Sequence, residues 1–122
     1  MHSKVDNSLI LSTDGRTVAV SGPISKWDGD ERSATFTVVI AQIDDAGEIV
    51  LARGTSHAAY ENGARSWRAA ARVSKPGARL SHGPAQAWAL ASISTDGGEF
   101  ELYPWSLETH LVADAVMAAA AL

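Results

Sequence analysis

Four histidines, His2, His57, His82 and His110, are the side chains best suited to metal binding or acid–base work near neutral pH. No two stand four residues apart and none forms an H-x-H pair, so local spacing alone brings no two imidazoles onto one ion. They read as surface or loop residues, and no metal site is expected. The run Asp28-Gly29-Asp30-Glu31 offers carboxylate oxygens of the kind calcium takes, but it lacks the D-x-[DN]-x-[DN]-G spacing of a calcium loop. It reads as a solvated loop, and Asp44-Asp45 as a turn. Ser56-His57 and Ser81-His82 are sequence neighbours. Adjacent strand residues point to opposite faces, which separates a nucleophile from its base. No G-x-S-x-G elbow is present, and the glycines fall singly at turns without a phosphate-binding fingerprint. With no cysteine, disulfides, thiolate nucleophiles and cysteine-ligated zinc are excluded. The catalytic residues stay unassigned and no cofactor is expected.

The four tryptophans carry more information. Aromatic side chains dominate both cores and interfaces. Trp67, Trp88 and Trp105 each lie in an alternating stretch and are expected in the core. Trp27 lies in a polar loop beside Asp28, so Trp27, Asp28 and Asp30 are the candidate binding residues. Arg68 and Arg72 share a strand face and could pair with Glu99 and Glu101 on a neighbouring strand, as ordinary cross-strand ion pairs.

These residues need a scaffold, and composition bounds it. A chain of 122 residues with 46% hydrophobic and 20% charged residues fits one globular domain with one core. The net charge is −4, with no basic run. Nucleic acid and anionic membranes, both read through clustered Lys and Arg, are therefore not expected partners. No apolar run approaches the roughly 20 residues of a membrane-spanning helix. The N-terminal MHSKVDNS has no apolar signal region, so a cytoplasmic location is expected. Positions 1–8 and 113–122 read as flexible tails. The Ala-rich end, MAAAAL, is either a short native helix or a vector-derived scar.

The organising stretch is Gly83 to Trp105. Ala85, Ala87, Ala89 and Ala91 alternate with Gln86, Trp88, Leu90 and Ser92, which is a strand with one small-residue face. An Ala-rich helix opened by Pro84 is the competing reading. Thr95-Asp96-Gly97-Gly98 is a turn, and Phe100 to Val112 alternates again. Upstream, Leu9 to Ser12 and Thr17 to Ser21 flank a turn, with Gly22-Pro23 expected to end the second strand. Lys26 to Arg32 reads as a loop. Ser33 to Ile43, rich in β-branched residues, pairs through the turn Asp44 to Gly47 with Glu48 to Arg53. Gly54 to Ala59 is either strand or loop. Asn62-Gly63 is a hairpin signal before Ser66 to Val73. Trp67, Ala69, Ala71 and Val73 share one face of that strand. Lys75 to Gly83 is a loop.

Seven or eight short strands argue for an all-β sandwich or barrel. Three features together resemble the last strands of an immunoglobulin-like or fibronectin-III-like β-sandwich. They are Trp67 to Val73, the Gly83-Pro84-Ala85 opening of the alanine strand, and the close at Tyr103-Pro104-Trp105-Ser106-Leu107. The resemblance covers about the last half of the chain and lacks the paired cysteines of antibody domains. It implies a seven- to eight-stranded antiparallel sandwich and nothing fixed about function. The alternative is a small up-and-down β-barrel, in which the tryptophans would line a cavity. In either case the alanine strand is expected to be buried on both faces.

Three functions follow from different classes. The first is a non-catalytic domain that acts through a protein surface, by binding a partner or by self-association, and it predicts an exposed apolar patch or strand edge. The second is a small-molecule binder with a cavity lined by Phe36, Trp88, Tyr103 and Trp105. The third is a hydrolase-type enzyme built on Asp28, Asp30 and His57 or His82, which needs two of these groups in one cleft.

Overall fold

A computed structural model describes residues 2, 3, 8–27, 29–60, 63–98 and 100–113, with the backbone alone at 2, 3, 8, 25, 26, 100, 101, 103 and 113. The strands are β1 (His2–Ser3), β2 (Ser8–Leu11), β3 (Thr17–Lys26), β4 (Glu31–Ile43), β5 (Ile49–Ala59), β6 (Ser66–Val73), β7 (Gly83–Thr95) and β8 (Phe100–Ala113). No α-helix occurs among the described residues, so none there could cross a membrane. All strands belong to one sheet, ordered β1-β3-β2-β8-β7-β4-β5-β6. Pairing of β3 with β6 joins its two sides, so seven strands, β2 to β8, close into a barrel. Every pairing is antiparallel except β2 with β8.

The small barrel is thus the alternative that fits, and a sandwich of two sheets gains no support. The barrel is not a simple meander, because the chain crosses from β3 to β4 and from β6 to β7 between strands that are not neighbours.

Alternation decides what lies inside. The buried row of β6 is Trp67, Ala69, Ala71 and Val73, and that of β7 is Ala85, Ala87, Ala89, Ala91 and Ile93. Small residues on these two strands leave room for the inward Phe36 of β4 and for Trp67 itself. Phe36 and Trp67 stack with ring centroids 4.6 Å apart, and Trp105 lies 6.4 Å from Phe36. Gly54 sits where β5 swings close to β6. A Cβ there would collide with the Ala70 carbonyl, so only glycine admits this approach.

Several local expectations change. Gly22-Pro23 does not end β3, which runs on to Lys26. Ile24 donates its N–H to the Arg65 carbonyl on the β6 side. Strand N–H groups alternate sides, so the Pro23 nitrogen faces the other way, beyond the reach of β2, whose pairing with β3 stops at Ala19. Gly54 to Ala59 is strand, continuous with β5. Pro84 to Ile93 is strand, not helix. The loop expected over Lys26 to Arg32 is shorter, because β3 takes Lys26 and β4 begins at Glu31. Glu31 is buried rather than solvated. Arg68 and Arg72 stand opposite Ser21 and Thr17 of β3, and β8 is not a neighbour of β6; Glu99 and the Glu101 side chain lie outside what is described. Asn62, Glu99 and the segments 4–7 and 114–122 lie outside the described residues, and with them most of both expected tails and the Ala-rich end.

Candidate functional site

Strand directions sort the loops to two ends of the barrel. At one end the β3–β4, β5–β6 and β7–β8 connections meet. Trp27 is half-buried here, donating Nε1–H to the Ala64 carbonyl at 2.8 Å and meeting Tyr60 edge-on at 6.1 Å. Arg32 lies over the Tyr60 ring and forms a 2.5 Å ion pair with Asp96. Asp30 is exposed, and its backbone carbonyl accepts the Asp96 N–H. Asp28 lies outside the described residues. Trp27 is thus tied into the loop packing by its indole nitrogen.

At the other end, Arg16 is the organiser. Its guanidinium donates to the carbonyls of Val73, Lys75 and Ala78, and Gly15, at φ 71°, accepts the Leu80 N–H through its own carbonyl. Asp14 accepts the Ser12 hydroxyl at 2.6 Å and the Arg16 N–H at 3.0 Å. These two hydrogen bonds favour the ionised form and hold the Asp14 carboxyl below the usual aspartate range. Arg16 and Gly15 fasten the β2–β3 turn to the β6–β7 loop, and Asp14 orders the turn itself.

Of the hydrolase-type set, Asp28 lies outside the described residues, and Asp30 and His82, the latter in the β6–β7 loop, stand at opposite ends of the barrel. His57 is exposed on β5, with its Nδ1 3.5 Å from Thr35 Oγ1. No cluster of three metal-binding side chains exists among the described residues. Of the cavity set, Phe36 is buried against Trp67 with Trp105 6.4 Å away, Trp88 points outwards, and the Tyr103 side chain is not among those described.

The outer face of β5-β4-β7-β8 is the distinctive surface. Trp88, expected in the core, is 45% exposed because the alanine row of β7 takes the inside. The alanine strand is therefore buried on one face only. In register, Arg53, Val39, Trp88 and Ser106 form one row across the four strands. Leu51, Ala41, Gln86 and Glu108 form the next, and Thr55, Thr37, Leu90 and Pro104 the row on the other side. Ile43 and Ile49 extend the apolar surface at 70% and 64% exposure. Trp88 stands as a ridge between two open grooves. One, of about 540 Å³, runs past Ala41, Ile43, Ile49 and Gln86; the other, of about 520 Å³, past Thr37, Val39, Leu90 and Pro104.

Sequence reasoning missed this surface. The signal was present in the apolar outward residues Val39, Leu51, Trp88 and Leu90, but alternation alone does not say which face turns in. No family model, curated protein or solved structure matches the chain.

Proposed function

We propose that this protein is a non-catalytic β-barrel domain that acts through a protein–protein surface on the outer face of β5-β4-β7-β8. The observation that carries the reading is the exposed Trp88, raised between two apolar grooves and flanked by Val39 and Leu90. Water meets a contiguous apolar surface here, where a soluble monomer would normally place polar side chains, and covering it with a partner removes that cost. An exposed tryptophan with grooves on both sides has the shape of an interface anchor.

The test is site-specific photocrosslinking in cells that produce the chain. A photoreactive phenylalanine analogue at Leu90 is expected to form adducts with a protein, and the same analogue at Arg68, on the opposite wall, is not. Absence of adducts from Leu90, or equal labelling from both positions, would reject the reading.

A further inference from the structure

We propose that the outer wall of β3, β6 and β5 holds a phosphate-binding site, a clamp in which Arg53 and Arg72 grip one tetrahedral dianion and Thr17 donates a further hydrogen bond. The site does not depend on the reading given to the apolar face.

Register carries the inference. Arg53 of β5 stands directly opposite Arg72 of β6, and Arg72 directly opposite Thr17 of β3. Side chains so placed have Cβ atoms about 5 Å apart, and like charges in that relation destabilise a sheet. The strands do not part to ease it. Gly54, the residue after Arg53, lies against the Ala70 backbone carbonyl at a distance no Cβ would allow. Neither charge is neutralised within the described chain. Both arginines are exposed, and neither forms an ion pair or a side-chain hydrogen bond among the described residues. The strands β3, β5 and β6 contain no Asp or Glu, although the whole chain has a net charge of −4. Glu48, in the turn before β5, is held by Lys75 at 3.5 Å.

The chemistry of the ligand follows from these donors. A guanidinium is a planar fork of N–H groups that meets phosphate oxygens two at a time. Two forks from facing strands neutralise a dianion, whereas one carboxylate would leave a positive charge over. Thr17 is half-buried, its hydroxyl forms no hydrogen bond among the described residues, and it adds a neutral donor at the end of the row. The next row towards Arg68 is Ala70 and Ala19, both exposed, so no bulky side chain covers the clamp on that side. Arg68 stands four residues from Arg72, about 14 Å along the strand and beyond the same ion.

NMR of the arginine Cζ resonances tests this on the full chain. The chain is titrated with glycerol phosphate or inorganic phosphate in place of chloride at constant ionic strength, at about pH 8, where a phosphate monoester is a dianion (second pKa about 6). The Arg53 and Arg72 resonances are expected to move together along one saturable curve. Arg53→Gln and Arg72→Gln should each weaken binding at least about tenfold. Arg68→Gln should change it by no more than about twofold. In chloride, Arg72→Gln should unfold at a higher temperature than the wild type, because it relieves the like-charge pair. Phosphate should raise the wild-type midpoint and leave that of Arg72→Gln in place. Tighter binding of glycerol phosphate would assign the clamp to a phosphorylated small molecule, and equal binding to the free ion. Unmoved Cζ resonances, equal weakening by Arg68→Gln, or a lower midpoint for Arg72→Gln in chloride would each overturn the proposal.

Discussion

Phe36 of β4 and Trp67 of β6 lie face to face, 4.6 Å between centroids and 3° from parallel, across a strand that separates them in the sheet. Their contact passes through the barrel interior, so it ties together two strands of the wall that do not pair with each other. Truncating either large aromatic leaves a void that alanine-lined neighbours cannot fill. Phe36→Ala and Trp67→Ala are each expected to cost about 3–5 kcal/mol in urea unfolding. Phe36→Leu should cost clearly less. Equal, small losses for all three would mean that the interior is loosely filled.

Gly54→Ala is expected to destabilise the barrel by about 3 kcal/mol, at the upper end of overpacking costs. The added methyl meets the Ala70 backbone carbonyl, and no side-chain rotation can relieve that contact. Gly29→Ala, where a Cβ would meet nothing within 4 Å, is the control and should be close to neutral. A neutral Gly54→Ala would show that β5 and β6 can separate there at little cost.

Arg16→Lys should loosen the loop between β6 and β7. Lysine keeps the charge but loses the planar fork that reaches three carbonyls at once. The expected loss is about 1.5–3 kcal/mol, with faster amide exchange at Leu80, whose N–H is held by Gly15. Unchanged exchange at Leu80 would assign the anchoring to other contacts.

Asp14 gives the acid limb of stability a specific contributor. Its carboxyl titrates below the ordinary aspartate range in the folded state, so its contribution is fully present above that range. It is lost as pH falls through the lowered folded value. Ser12→Ala removes the largest cause of the shift and should raise the Asp14 midpoint towards the ordinary value in an NMR titration. A midpoint that does not move would place the cause elsewhere.

Trp67 and Trp88 show how much of the fold was legible. Both sit in runs of period two, and the runs themselves, with their turns at Asp44 to Gly47 and Thr95 to Gly98, could be read from residue type alone. Periodicity identifies two faces without orienting them. Trp67 shares its face with Ala69, Ala71 and Val73 and turns in. Trp88 shares its face with Gln86 and Leu90 and turns out, because a narrow barrel needs the alanines inside. Closure was harder to read for the same reason: the β3–β6 pairing joins residues about fifty positions apart, and no local signal marks it. Gly22-Pro23 misled because proline ends a strand only where its missing donor is needed. The candidate surface, set by register across four strands, follows from the pairing and not from any motif.

The parallel pairing of β2 with β8 sets an order of events. It matches Leu9 with Leu111 and spans only Ser8–Leu11, yet it is the seam that completes the wall. A contact between positions this distant carries a high loop-closure entropy until the intervening strands have shortened the path. During synthesis, the β4–β5 hairpin can zip early, while the seam must wait until the last strand has left the ribosome. Once formed, this four-pair seam, like the two-pair contacts of β2 with β3 and of β5 with β6, is expected to breathe ahead of the long β4–β7 and β7–β8 ladders.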